Sequence, residues 1–188
     1  MKYKIYTDGA YSQIHDEGAF AYVILDANDN EIERKAYKIT KETNNRAELK
    51  AIIAGVNKLP MDADAVDIFS DSQYALKTLS GEWGRRTNHD LFDVWQNVLT
   101  CRSDVQSISY NWVRGHNGNK YNELCDQLCN DMLGYDANAE FEKFRKEKTQ
   151  AMTEEFAWKV YNFVNEWKGG KFGLVSLQCA LDNHFNKQ

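Results

Sequence analysis

The sequence predicts an α/β layered domain, a mixed sheet with helices on its faces, followed by a helical appendage. Three observations carry this. Three strand-like segments come first, and strand–helix alternation follows, which is the order of a mixed sheet rather than of a bundle or a sandwich. Hydrophobic residues make up 43% of the 188 positions and aromatics 13%, enough for a core and too much for a disordered chain. From residue 139 onward the pattern changes to helical spacing alone.

Residues 2–8 alternate with Tyr3 and Ile5 on one face and read as a strand that Asp8-Gly9 breaks. Residues 19–27 are aromatic and β-branched and form the second strand. Asn28-Asp29-Asn30 is turn chemistry, so residues 31–39 pair back as a hairpin. The Asn44-Asn45 pair suits a helix N-cap, and Leu49, Ile52, Ile53 and Val56 supply the apolar stripe behind it. Pro60 follows that helix. Residues 65–70 form a short buried strand leading into Asp71, and residues 72–79 a short helix. Gly81 to Arg86 is a loop. Residues 89–101 are helical through Leu91, Val94, Trp95, Val98 and Leu99. Residues 107–113 alternate as a fifth strand, residues 114–119 are a Gly-containing loop, and residues 120–133 are the last helix of the domain.

The expected domains are therefore 1–138 and 139–188. In the second, Phe141, Phe144, Met152, Phe156, Val160, Phe163, Val164 and Trp167 fall at three- and four-residue steps. Gly169-Gly170 ends that helix, and Leu174, Leu177, Leu181 and Phe185 suggest another. An aromatic stripe of this kind must bury against the main domain, a second copy or another protein.

No apolar run approaches the roughly 20 residues of a membrane span. The N-terminal residues enter a strand pattern without a signal-peptide core, so a soluble, cytoplasmic protein is expected. Cys101, Cys125, Cys129 and Cys179 form no Cys-x-x-Cys pair and read as reduced structural thiols. The net charge of −5 does not suggest a nucleic-acid binder. The balance is uneven: residues 139–188 carry a net +1 and residues 1–138 a net −6. An acidic domain can still bind a polyanion where several acids converge on metal ions.

The acids are placed for that. Asp8 ends the first strand, Glu48 opens the first helix, Asp71 ends the fourth strand and Asp126 lies in the last helix. Active sites of α/β folds gather at strand ends and nearby helix starts. Four carboxylates there would repel one another unless cations neutralised them. Hard oxygen ligands suit Mg²⁺ or Mn²⁺, and two such ions can clamp the attacking and leaving oxygens of a phosphodiester. Any one of these acids alone would read as a solvated or capping residue.

The local motifs are Thr7-Asp8-Gly9, Thr43-Asn44-Asn45-Arg46-Ala47-Glu48-Leu49, Ser70-Asp71-Ser72-Gln73-Tyr74, Trp112-Val113-Arg114-Gly115-His116 and Asn122-Glu123-Leu124-Cys125-Asp126. In this order they closely resemble type 1 ribonuclease H over the first 135 residues or so. The resemblance implies a ribonuclease H-like fold with a five-stranded mixed sheet. It implies an endonuclease that cuts the RNA strand of an RNA–DNA hybrid and leaves 3′-hydroxyl and 5′-phosphate ends. It implies two Mg²⁺ ions, with Mn²⁺ as a substitute, held by Asp8, Glu48, Asp71 and Asp126. Asp8 and Asp71 would contact both ions, and Glu48 and Asp126 one each. His116 matches the loop histidine that assists turnover or product release. Asn44, Asn45, Gln73 and the backbone at Gly9 match the contacts to RNA, and an amide can both donate to and accept from a 2′-hydroxyl. Thr43 would touch a DNA-strand phosphate. Trp83, Arg85 and Arg86 lie where the family places a basic, aromatic DNA-binding protrusion.

The chain also departs from the family. Residues 10–18 replace the usual Gly-Asn-Pro-Gly-like turn, so that loop's contacts do not transfer. Only Gly81 to Asn88 separates the central helices, and no hybrid-binding module is expected ahead of the domain. Lys143, Arg145, Lys146 and Lys148 could substitute for the missing basic handle or simply form a solvated face. Three other readings compete: a DNA-cutting enzyme of the same fold, such as a transposase or junction resolvase; a non-catalytic hybrid-binding module; and a subunit that associates, as a homodimer or with a partner protein, through the C-terminal helices. The Asn44, Asn45 and Gln73 set weighs against the first, and the four intact acids against the second.

Overall fold

The computed structural model describes residues 1–136, 139, 142–153, 155 and 156. The chain divides into two units between Phe141 and Glu142. The first unit contains β1 (Lys2–Ser12), β2 (Glu17–Leu25), β3 (Glu31–Thr40), α1 (Asn44–Asn57), β4 (Ala65–Ser70), α2 (Gln73–Leu79), α3 (His89–Cys101), β5 (Ser107–Trp112) and α4 (Lys120–Leu133). The sheet order is β3-β2-β1-β4-β5. The β1–β2 and β2–β3 pairs are antiparallel, and β4 runs parallel to both β1 and β5.

The two faces of the sheet bury different cores. On one face Ile5, Tyr22, Ile24 and Ile68 meet Leu49, Ile52 and Val56 of α1, Leu76 of α2 and Trp95 of α3. On the other, Ala19, Ala21, Val23 and Leu25 meet Cys125, Cys129 and Leu133 of α4. The alanines on this second face let α4 sit close to β1 and β2. Cys125 and Cys129 are buried thiols, in keeping with a structural role, and Cys101 is exposed.

Two local expectations change. Asp8-Gly9 does not end the first strand; β1 continues to Ser12, with Gly9 opposite Phe20 and Ser12 opposite Glu17. Glycine is needed here for clearance. A Cβ at Gly9 would lie 2.5 Å from the Glu48 backbone nitrogen, so α1 can approach β1 only where no side chain intervenes. The cap of α1 is Thr43 rather than the Asn pair: its extended backbone and hydroxyl receive the Arg46 N–H, and Asn44 is the first helical residue.

In the second unit, residues 142–153 are helical and exposed, with an Arg145–Glu142 pair at 3.0 Å. The stripe from Val160 to Trp167, the Gly169-Gly170 break, the helix from Leu174 to Phe185, and Cys179 lie outside the described residues. Among the described residues no helix is long and apolar enough to cross a membrane.

Candidate metal centre

The parallel pairing of β1 with β4 stops at Tyr6 and Phe69, and the site opens just beyond that point. Asp8 lies two residues past the last paired position on β1. Asp71 follows the end of β4. Glu48 sits in the first part of α1, which Gly9 lets press against β1. Asp126 comes from the middle of α4, on the other face of the sheet. Together with Gly9, Asn44, His116, Asn122 and Glu123, these four acids line one cleft of about 200 Å³.

Ligand-capable oxygens of Asp8, Glu48 and Asp71 all lie within 4.8 Å of one another. Asp8 and Glu48 are almost wholly buried, at 7% and 5% exposure. Among the described residues none of the three pairs with a lysine or arginine. The Gly9 N–H donates to Asp8 Oδ1 at 2.8 Å, while the buried Glu48 Oε2 has no donor among the described residues. Burial raises the Asp8 carboxyl well above its usual range, the charges of Asp71 and Asp126 raise it further, and the Gly9 N–H opposes them. Burial raises Glu48 in the same way, followed by the charges of Asp8 and Asp71. Asp126 is also raised, chiefly by burial, with His116 opposing. Asp126 lines the cleft but stands outside the cluster of three.

A bound cation fits these residues. Three converging hard oxygen donors, one of them buried and without a hydrogen bond, form a set that a divalent ion would neutralise and a bare protein leaves in repulsion.

His116 occupies an exposed loop with φ of 50°, and its Nδ1 lies 4.0 Å from Asp126 Oδ2. The loop is tied to α4: Glu123 accepts from the Gly118 N–H at 2.7 Å, and Asn119 caps the helix by accepting from the Asn122 N–H. Gly115 is a second clearance glycine, since a Cβ there would fall 2.4 Å from Asp71 Oδ2.

The remaining expected residues spread over neighbouring surfaces. Gly9 and Asn44 share the cleft, and Asn45 is exposed beside it. Gln73 lines an adjoining groove with Lys77, Tyr110 and Trp112, whose indole N–H donates to the Asp71 carbonyl. Thr43 is engaged as the cap. Trp83 and Arg86 line a third groove, with Lys77 Nζ 5.2 Å from the Trp83 ring centroid, and Arg85 stacks over Phe92. Sequence reading did not single out Asn122, Glu123 or Gly115 as site residues. All three stand inside the motifs quoted above, but a first-turn Asn or Glu reads as ordinary helix chemistry and Gly115 as a loop glycine; their spatial neighbours show what each one faces.

An α/β domain with such an acid cluster at neighbouring strand ends has the donor set that a metal-dependent hydrolase requires. The ribonuclease H family model matches residues 1–133. A ribonuclease H of Trichodesmium erythraeum is 34% identical over 135 residues, covering 66% of this chain and 83% of that protein. A ribonuclease HI of Synechocystis is 32% identical, covering 66% and 82%. The crystal structure of RNase H1 from Halobacterium salinarum superposes with a TM-score of 0.59 at 24% identity, covering 71% of this chain and 98% of that one. The chain belongs to the ribonuclease H family. That family consists of metal-dependent hydrolytic nucleases acting on RNA–DNA hybrids.

Proposed function

We propose that this chain is a cytoplasmic endonuclease that hydrolyses the RNA strand of RNA–DNA hybrids with two Mg²⁺ ions, Mn²⁺ serving as a substitute, and leaves 3′-hydroxyl and 5′-phosphate ends. One observation carries the reading: the convergence of Asp8, Glu48 and Asp71 with no lysine or arginine among the described residues paired to them. Asp8 and Asp71 would serve both ions, Glu48 one and Asp126 the other. When bound, the ions supply Lewis acidity and charge neutralisation at the phosphodiester.

The rest falls to the chain's own groups. Asn44, Asn45 and Gln73 present amides that donate to and accept from a ribose 2′-hydroxyl, the group DNA lacks. The backbone at Gly9, free of a side chain, lets the RNA strand approach. The Thr43 hydroxyl accepts within α1 and keeps its own proton to donate to a DNA-strand phosphate. Trp83, Arg85 and Arg86 offer stacking and positive charge to the DNA strand. His116, beside Asp126 and exposed, takes up or releases a proton as product leaves.

Residues 1–138 are assigned as the catalytic domain and residues 139–188 as an extension that self-associates or docks a partner protein. Solution mass with and without the extension tests that assignment: a dimer lost on truncation supports self-association, and an unchanged monomer removes it.

The central test is cleavage of end-labelled RNA within an RNA–DNA hybrid, under Mg²⁺ and separately Mn²⁺. Single-stranded RNA, duplex RNA and duplex DNA are the controls. Cutting should be confined to hybrid RNA and should fall at least about 100-fold in Asp71→Asn, the several kcal/mol that a metal clamp supplies. An intact hybrid under both metals would sink the reading.

A further inference from the structure

The Asn122 side chain has no part in the chemistry above, yet it lies inside the cleft. It sits one helical turn before Asp126 on α4 and is only 2% exposed. Its Nδ2 is 3.5 Å from Asp71 Oδ2, at the long end of hydrogen-bonding distance. That fixes which way round the amide sits: an ionised carboxylate can only accept, so the NH₂ faces Asp71. Among the described residues the carbonyl Oδ1 is then the second buried polar atom of this cleft without a partner, beside Glu48 Oε2. A buried acceptor with no donor is costly and is rarely left so without a use.

The surrounding groups decide what would satisfy it. Asp8, Glu48, Asp71 and Asp126 accept when ionised and bring no proton. A water in a cation's hydration shell does the opposite, because its oxygen faces the cation and its protons point outward. Mg²⁺ in particular keeps several of its waters when bound. An amide also suits the position electrostatically. A further carboxylate beside Asp71 would add to the repulsion, whereas Asn offers an acceptor without net charge and a donor to Asp71. The backbone there is already fixed, since the Asn122 N–H is held by the Asn119 cap at 3.2 Å.

We infer that Asn122 is a positioning residue of the metal centre: Nδ2 orients the Asp71 carboxylate, and Oδ1 accepts a hydrogen bond from a water of the cation's hydration shell. This rests on the metal-dependent reading of the cleft. Groups that support metal ligands in this way typically change affinity 10- to 100-fold when removed.

The test is calorimetric titration of the full chain with Mg²⁺ and with Mn²⁺, paired with thermal melts with and without metal. Asn122→Ala should bind both ions about 10- to 100-fold more weakly. Its metal-free melting temperature should hold, and its rise on adding metal should shrink. Asn122→Ser, with a shorter group in the same place, should also bind more weakly and carries the test if the alanine variant does not fold. Wild-type metal affinity in the folded variants would overturn the inference. So would a lowered metal-free melting temperature with an undiminished metal-induced rise, because Asn122 would then be only a helix-packing residue. Failure of both variants to fold would overturn it too. A wild-type chain that binds neither ion would instead sink the hydrolytic reading itself, and this inference with it.

Discussion

Glu48 and Arg46 lie two residues apart on α1, and their charges meet opposite fates. Arg46 stands at the centre of an ion network. It pairs with Glu42 and makes a two-pronged contact with Asp90 at 2.8 and 2.6 Å, while Lys50 holds the other side of Glu42. The Asp90 carboxyl is accordingly pulled down to about 2, mainly by its hydrogen bonds with Arg46. Among the described residues Glu48 has no such partner; it is buried beside Asp8 and Asp71, and its carboxyl is pushed up. The same helix therefore carries one charge cluster balanced from within and one that needs balance from outside. The first holds α1 to α3. The second forgoes stability for a site that an ion can complete.

Substitutions at the two clusters should consequently move different quantities. The largest effect after loss of an acid is expected at Gly115, whose missing Cβ leaves room for Asp71. Gly115→Ala should displace that carboxylate or its loop and lower hybrid cleavage by up to about 100-fold, the scale of an ångström's misplacement at a reacting centre. Steady-state kinetics would show it mainly in kcat, and wild-type kcat would show that the loop yields without disturbing Asp71.

Asp8→Asn should separate activity from stability. Hybrid cleavage should be lost, yet the metal-free protein should melt higher, by roughly 2–4 °C for each kcal/mol of relieved repulsion. A lower metal-free melting temperature would mean that the acids are already reconciled without an ion. In the balanced cluster the outcome reverses. Arg46→Ala should cost about 1 kcal/mol of stability, with Asp90 largely solvent-facing, and unfolding in denaturant would measure it.

The smallest effect is the pH response of that pair. Asp90 titrates near 3.8 when unfolded and at about 2 when folded. Its contribution is complete above about pH 4 and is lost as pH falls toward 2. Asp90→Asn should flatten the stability curve within that window alone, and an unchanged curve would place the acid loss elsewhere.

Much of the architecture could be read from periodicity: Tyr3 and Ile5 alternating on β1, the Leu49–Val56 stripe of α1, and the strand–helix order that puts Asp71 at a strand end. The misreadings share one cause. Asp8-Gly9 looked like a strand breaker because glycine is locally a punctuation residue, but this glycine answers to α1, nearly forty residues away in the chain. The Asn44-Asn45 pair looked like a cap because Asn is a good one, whereas Thr43 took the role by lying one residue earlier with extended backbone. The acids were recognisable because each came inside a motif. Asn122 shares its motif with Asp126 and still went unassigned, because its meaning depends on Asp71, which the sequence does not place beside it.

The contact of Gly9 with α1 also sets the reach of the site. Asp8 and Glu48 come from segments that meet at the main chain, with only the Ala47 methyl between them. The backbone thus fixes the range over which the two carboxylates can part, and their side-chain rotamers adjust the gap within it. To open the site beyond that range, strand and helix would have to move apart. The packing of one glycine is therefore the outer bound on how far the two acids can spread.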